Sequence, residues 1–232
     1  MNPSYSSGRT PPQAASTPVT AVRVWDLPTR VFHWLLLVCV IGLFASAYAP
    51  GHRIELHARF GYAVLTLLLF RLVWGFVGGH WSRFIHFIPR GGAGARLGHS
   101  LSGALAVLAM LLALAAQVAT GLVGDDEIAF IGPLNRFVTT DLGLAATAWH
   151  KGVGQWILVG LIALHVGAIA FYRLARHNDL IGPMLGGDKV VDPAAAPGVP
   201  VAASADTTST RLLALAVLAL CASAVGLMVR MA

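Results

Sequence analysis

WHKGVGQWILVGLIALHVGAIAFY, residues 149–172, is 24 residues long, carries one lysine and no carboxylate, and contains two histidines, His150 and His165. A bilayer is crossed by roughly 20 predominantly apolar residues, so this stretch is long enough to span. A polar side chain in hydrocarbon is costly and is kept for a functional reason, so each histidine asks for a partner. Fifteen residues separate the two, which on one continuous α-helix is a rise of about 22 Å and an angular offset of about 60°. Both rings then face one side of the segment, at two depths.

Four more stretches read as spans: 31–49, 57–78, 101–123 and 212–229. Hydrophobic residues make up 56% of the chain and charged residues 11%, against about 25% charged in soluble domains. The composition therefore indicates an integral membrane protein of five helices. Two further histidines sit at span ends, His33 near the start of the first and His57 at the start of the second. With the N-terminus inside, alternate crossings put His33 and His165 at the inner level and His57 and His150 at the outer level. The expected fold is all-α: an integral membrane four-helix di-haem bundle over 23–185 with an additional C-terminal transmembrane helix over 211–232.

Basic residues set the orientation. Eleven of the sixteen Lys and Arg fall in the N-terminal tail, the second loop with the helix end before it, and the fourth loop, and such regions face the cytoplasm. The loop 124–148 carries Asp125, Asp126, Glu127 and Asp141 and reads as periplasmic. This topology explains the sequence pI of about 10.0 without a nucleic-acid partner. Residues 1–22, rich in Ser, Thr and Pro, read as a disordered cytoplasmic tail, and 186–210 as a flexible linker. Ala45-Ser46-Ala47 resembles a signal-peptidase site, but the apolar run before it begins late and is full spanning length, so it is read as a retained helix. The expected location is a bacterial cytoplasmic (inner) membrane.

Imidazole at two depths suits iron porphyrin. Neutral imidazole is a good nitrogen ligand for iron, and two from different helices fill both axial positions, giving a centre suited to electron transfer. The covalent C-x-x-C-H motif is absent, and the two cysteines, Cys39 and Cys221, lie singly in apolar spans as packing residues. Two non-covalent haem b groups are therefore expected, with axial pairs His33/His165 and His57/His150. Gly61, Gly75 and Gly154 lie near the ligand faces, where small residues serve either porphyrin clearance or helix packing. Arg71, fourteen residues after His57, is about 40° from it on the wheel and is a candidate partner for an inner-haem propionate, with snorkelling to the lipid surface as the alternative. His52, His80, His86, His99 and His177 read as ordinary loop histidines, and the tryptophans as interface anchors.

RVWDLPTRVFHWLL (23–36), ELHARFGYAVLTLLLFRLVWG (55–75), LGHSLSGALAVLAMLLALAAQVATGL (97–122) and AWHKGVGQWILVGLIALHVGAIAFYRL (148–174) together resemble the bacterial cytochrome b561 family, which includes the b-type cytochrome subunits of nickel-iron hydrogenases. The resemblance covers about 23–185 and implies a four-helix bundle with two b haems whose four ligands fall on the same four histidines. It implies an electron carrier between the membrane quinone pool and a redox partner, such as a cytochrome c or a dehydrogenase or hydrogenase subunit, in a respiratory chain. A stand-alone quinone-linked oxidoreductase acting on a small molecule such as superoxide is the second expectation. A haem-free transporter or assembly factor is the third. The chain has no dinucleotide fingerprint, so electrons must enter and leave through other molecules. Partners expected at its surfaces are membrane lipid at the basic loops and a basic redox protein at the acidic loop.

Overall fold

The computed structural model describes residues 20–49, 53–87, 100–191 and 202–231. Helix α1 (Leu27–Tyr48) starts where the Asp26 carboxylate accepts the Thr29 N–H at 2.9 Å, and Pro28 occupies the first turn, where a missing N–H costs nothing. Helix α2 (Ile54–Val77) stops at Gly78, and α3 (Leu101–Val123) is capped by the Ser100 hydroxyl on Gly103 N. Then come α4 (Thr140–Lys151), α5 (Val153–Ala175), the short α6 (Ile181–Gly186) and α7 (Thr208–Met231). Five units are long and apolar enough to cross a membrane: α1, α2, α3, the 36-residue α4–α5 unit, and α7. The architecture is an all-α membrane helical bundle. For orientation, the end where α1 and α7 begin is termed basal and the opposite end distal.

The fourth span differs from the expected single rod. Residues 140–151, read from sequence as the end of a loop and the start of that span, form a separate helix capped by Thr139, and Gly152 (φ −103°, ψ −113°) joins it to α5. His150 belongs to the last turn of α4 and His165 to α5, so the wheel offset computed for one helix does not apply across the joint. They still lie at different depths, because α5 runs on for more than a turn of apolar residues between them.

α1 packs along α2, while α3 packs on α2, α4 and α5. Side chains from four helices meet midway along the bundle, where Val64, Leu114 and Leu158 are buried with Leu36, Cys39, Val40 and Leu43 against them. This apolar layer separates the two histidine levels. Large side chains facing outward, such as Val38, Ile41, Leu112 and Leu164, suit lipid contact.

The fifth span packs against the bundle, and both described flanks of the expected linker over 186–210 are ordered, 188–191 as a strand and 202–207 by hydrogen bonds and ion pairs. Small residues Ala214 and Cys221 of α7 sit against Phe32, Leu67, Phe70 and Trp74. Close packing of this kind matters in lipid, where tails are as apolar as leucine and no hydrophobic drive joins helices. At the basal end the polar segment before α7 is tied down: Ser204 N donates to Arg23 O at 2.7 Å, Ser204 Oγ donates to Val24 O at 2.7 Å, and Trp81 Nε1 donates to Ala202 O at 2.8 Å. Asp206 receives Arg23 at 2.7 Å and Arg211 at 2.9 Å. Strands β1 (Thr20–Arg23) and β2 (Asp188–Val191) pair antiparallel, Ala21 opposite Val190. The tail expected over 1–22 thus ends in ordered strand, and 1–19 and 192–201 lie outside the described residues.

Candidate functional site

The distal pair is held by backbone. The rings of His57, in the first turn of α2, and His150 have centroids 6.1 Å apart at an interplanar angle of 79°. His57 Nδ1 lies 3.0 Å from Leu43 O, and His150 Nδ1 lies 2.8 Å from Gln117 O. A carbonyl can only accept, so in each ring Nδ1 carries the proton and Nε2 keeps its lone pair. Ser46 Oγ and Thr120 Oγ1 stand beside the same two Nδ1 atoms, at 3.4 and 3.2 Å. The Gln117 side chain donates back to His150 O at 3.2 Å, closing α3 onto α4.

Both rings line a cavity of about 700 Å³ bounded by the distal ends of α1, α2, α3 and α4 and the start of α5, with Arg53 and Lys151 among its walls. That volume lies within the roughly 300–1,000 Å³ of cofactor pockets. Gly61 lines it, and a Cβ there would meet nothing within 4 Å, so the α2 backbone presents an open face to the cavity. Gly121 was not picked out by sequence reasoning; a Cβ there would come within 3.3 Å of His150 Cε1. Its signal was its place one turn after Gln117 on the histidine-facing side of α3.

The basal pair is held differently. His33 on α1 and His165 on α5 have ring centroids 6.5 Å apart at 55°. Trp34 meets the His33 ring edge-on at 5.1 Å and donates to Met184 O at 3.2 Å, bringing α6 beside the site. His33 Nδ1 is buried with no hydrogen-bond partner among the described residues. In both pairs the spacing suits a shared metal: two metal–nitrogen bonds of about 2 Å plus the ring radii place centroids roughly 6 Å apart. The structure thus brings the four histidines together in the two expected pairs.

Other expected site residues sit elsewhere. The Arg71 guanidinium is buried, donating to Ser82 O at 2.9 Å and lying over the rings of Phe84 and Phe87 at 5.0 and 5.3 Å. It does not snorkel to a lipid surface; Ser82, Phe84 and Phe87 lie over its face of α2. Gly75 makes room for the Phe84 ring, and Gly154 for the Trp149 ring and Gln117, so both serve packing. Trp74 and Trp81 are buried hydrogen-bond donors where interface anchors were expected. His80 stacks on His86 at 3.9 Å, and burial together with Arg83 pushes the His80 imidazole below its ordinary value. His52 and His99 lie outside the described residues.

Asp26 is the basal hub that sequence reasoning passed over. Fully buried, it accepts Thr29 N and Gly79 N, each at 2.9 Å, Ser82 Oγ at 3.0 Å and Trp74 Nε1 at 3.2 Å. Asp-x-Pro before a helix signals the cap but says nothing of the three distant donors. At the other end, Asp126 accepts the N–H groups of Ile128, Ala129 and Phe130, and those bonds, led by Ala129 and Phe130, hold its carboxyl below the usual range. Lys151 stands 3.8 Å away.

A multi-pass helical bundle with facing imidazoles at two levels is the build of a membrane b-type cytochrome. Residues 24–187 match the family described as Prokaryotic cytochrome b561, and the chain belongs to that family. It is therefore a multi-pass bacterial membrane cytochrome of electron transfer, and the family implies haem b. The chain is similar to the "Probable Ni/Fe-hydrogenase B-type cytochrome subunit" of Azotobacter chroococcum mcd 1, 24% identical over 216 residues, covering 72% of this chain and 88% of that protein. It is also similar to the "Probable Ni/Fe-hydrogenase 1 B-type cytochrome subunit" of Escherichia coli (strain K12), 20% identical over 220 residues, covering 75% and 93%. No solved structure matches.

Proposed function

We propose that this chain holds two haem b groups, one between His33 and His165 and one between His57 and His150, and passes electrons between the quinone pool and a redox partner in a bacterial respiratory chain. The observation that carries the reading is the pair of imidazole–imidazole separations, 6.5 and 6.1 Å, at opposite ends of one bundle. Each haem, when bound, would supply a one-electron iron couple, with His33 and His165 or His57 and His150 as the residues that would hold it. The protein's part is positional. Leu43 O and Gln117 O fix the distal tautomers so that Nε2 is the ligating atom. The Val64, Leu114 and Leu158 layer keeps water out of the space between the two levels.

The positive charge of the basal end, with Arg23, Arg30, Arg83, Arg173 and Arg211, supports a cytoplasmic basal face, with the N-terminus on the cytoplasmic side of an inner membrane. The names of the relatives favour a hydrogenase subunit as redox partner. A cytochrome c at the acidic distal loop is the competing partner, although Asp126 is already spent on backbone N–H groups and Lys151. A second reading, a stand-alone quinone-linked oxidoreductase for a small anion such as superoxide, draws on Arg53 and Lys151 lining the distal cavity.

Purified protein from haem-replete cells tests the first reading. Two b-type components per chain, resolved in a reductive titration, are expected. A colourless preparation, or one haem per chain, sinks it. Turnover of quinone with superoxide by the isolated chain selects the second reading for the distal site.

A further inference from the structure

Arg30 lies three residues before His33 on α1, one turn and about 4.5 Å toward the basal end. Its side chain is 13% exposed, yet its bonding is incomplete. Nη1 donates to Leu185 O at 2.5 Å, Nη2 lies 3.8 Å from Asp206, and Nε is buried with no partner among the described residues. Asp206 does not need Arg30, since Arg23 and Arg211 already approach it at 2.7 and 2.9 Å. Arg23 also holds Asp188 at 2.5 Å, so this cluster sets Arg23, Arg30 and Arg211 against two carboxylates. Among the described residues one cation is in excess, and Arg30 is the one nearest His33 in sequence.

The other arginine expected to meet an anion here, Arg71, gives Nη1 to Ser82 O and lies against two phenylalanine rings. Arg173 on α5 is exposed, eight residues beyond His165, and pairs with Asp179 at 3.5 Å. A haem brings two propionate carboxylates, which cannot be left in hydrocarbon and must leave it toward the nearer surface. Guanidinium is the side chain best shaped to take a carboxylate.

We propose that Arg30 is the positioning residue for the basal haem, binding a propionate carboxylate, and that Asp206 steadies Arg30, so that the latch of the fifth helix and the basal haem share one ion network. This rests on the reading of His33 and His165 as a haem pair. Arg30 touches neither iron nor substrate; it sets where the cofactor sits and how its charge is balanced.

Spectroelectrochemical titration of the full-length protein in detergent, as wild type, Arg30→Gln, Arg30→Lys and Asp206→Asn, tests it, with the distal haem as internal control. In Arg30→Gln the basal haem is lost, or its oxidised-to-reduced ratio at fixed potential rises at least tenfold, a midpoint about 59 mV lower for one electron, because a nearby positive charge favours the reduced iron. Arg30→Lys keeps the haem and restores most of the potential. Asp206→Asn keeps the haem and moves the basal midpoint upward. Arg30→Gln with both haems at unchanged potentials overturns the inference, as does an equal shift of both. Loss of all haem in Arg30→Gln and Arg30→Lys alike also overturns it, by making the role one of folding. A wild type without two b-type components removes the underlying haem reading instead.

Discussion

The two ends of the bundle hold their histidine pairs by opposite means. At the distal end each imidazole is aimed by a backbone carbonyl one helix away, Leu43 O for His57 and Gln117 O for His150, around a cavity already open. At the basal end His33 Nδ1 has no partner among the described residues, and the ring is flanked by the Trp34 edge and the His165 ring. The difference teaches that main-chain carbonyls orient the distal pair, whereas His33 is held by packing without a hydrogen bond to Nδ1 among the described residues. Carbonyl-fixed imidazoles would be pre-oriented as ligands, and losing such outer contacts costs roughly 10–100-fold in metal affinity.

The largest test of this contrast removes ligands. His57→Ala or His150→Ala should abolish the distal haem and leave the basal one, while His33→Ala or His165→Ala should do the reverse, read as stoichiometry falling from two haems to one. If His33→Ala and His150→Ala delete the same spectral component, the pairing fails. Next in size is Asp26→Ala, which strands buried donors from Gly79, Trp74 and Ser82. Thermal unfolding in detergent should show a loss of roughly 3 kcal/mol or more, with the basal haem weakened first.

Two glycines sharpen the comparison at intermediate size. Gly75→Ala drives a methyl into the Phe84 ring and should cost about 1–3 kcal/mol of stability with the distal haem unaffected. Gly61→Leu enters open cavity space and should lower distal haem occupancy at little cost to stability. Equal effects of the two on the distal haem would erase the distinction drawn between them.

The smallest effect concerns pH. The hydrogen bond from Arg211, with the charges of Arg211 and Arg23, holds the Asp206 carboxyl below its ordinary value. A carboxyl whose folded value is depressed stabilises the fold above its unfolded pKa, near 4, and loses that contribution as pH falls through the lower folded value. The stability gap between wild type and Asp206→Asn should thus be constant from neutral pH to about 5 and close in stronger acid. A gap that closes near pH 7 instead would show that Asp206 is not the group responsible.

Much of this was legible in the chain. Apolar run length marks five spans because a bilayer imposes one length on all of them, and alternation of crossings was enough to pair the histidines by depth. What stayed hidden depends on which neighbour covers a face. The wheel put Arg71 near the inner level but could not show that Ser82, Phe84 and Phe87 fold back over it. Gly75 looked like Gly61 in sequence, and only packing tells the two apart. The composition of 186–210 reads as a linker, but Ser204 and Asp206 find partners about 180 residues earlier, beyond the reach of any local pattern. Gly152 was visible, yet a glycine in an apolar run gives no notice of whether it bends the helix.

The antiparallel ribbon of β1 and β2 sets Arg23 beside Asp188, so the first and last residues of the stretch shared with the family lie next to each other. The cytochrome unit is in this sense a clasp whose two tips meet at one corner. Anything spliced ahead of Thr20 and anything spliced after Val191 would emerge there side by side, which makes that corner the natural place to graft a reporter or a second protein without threading it through the bilayer.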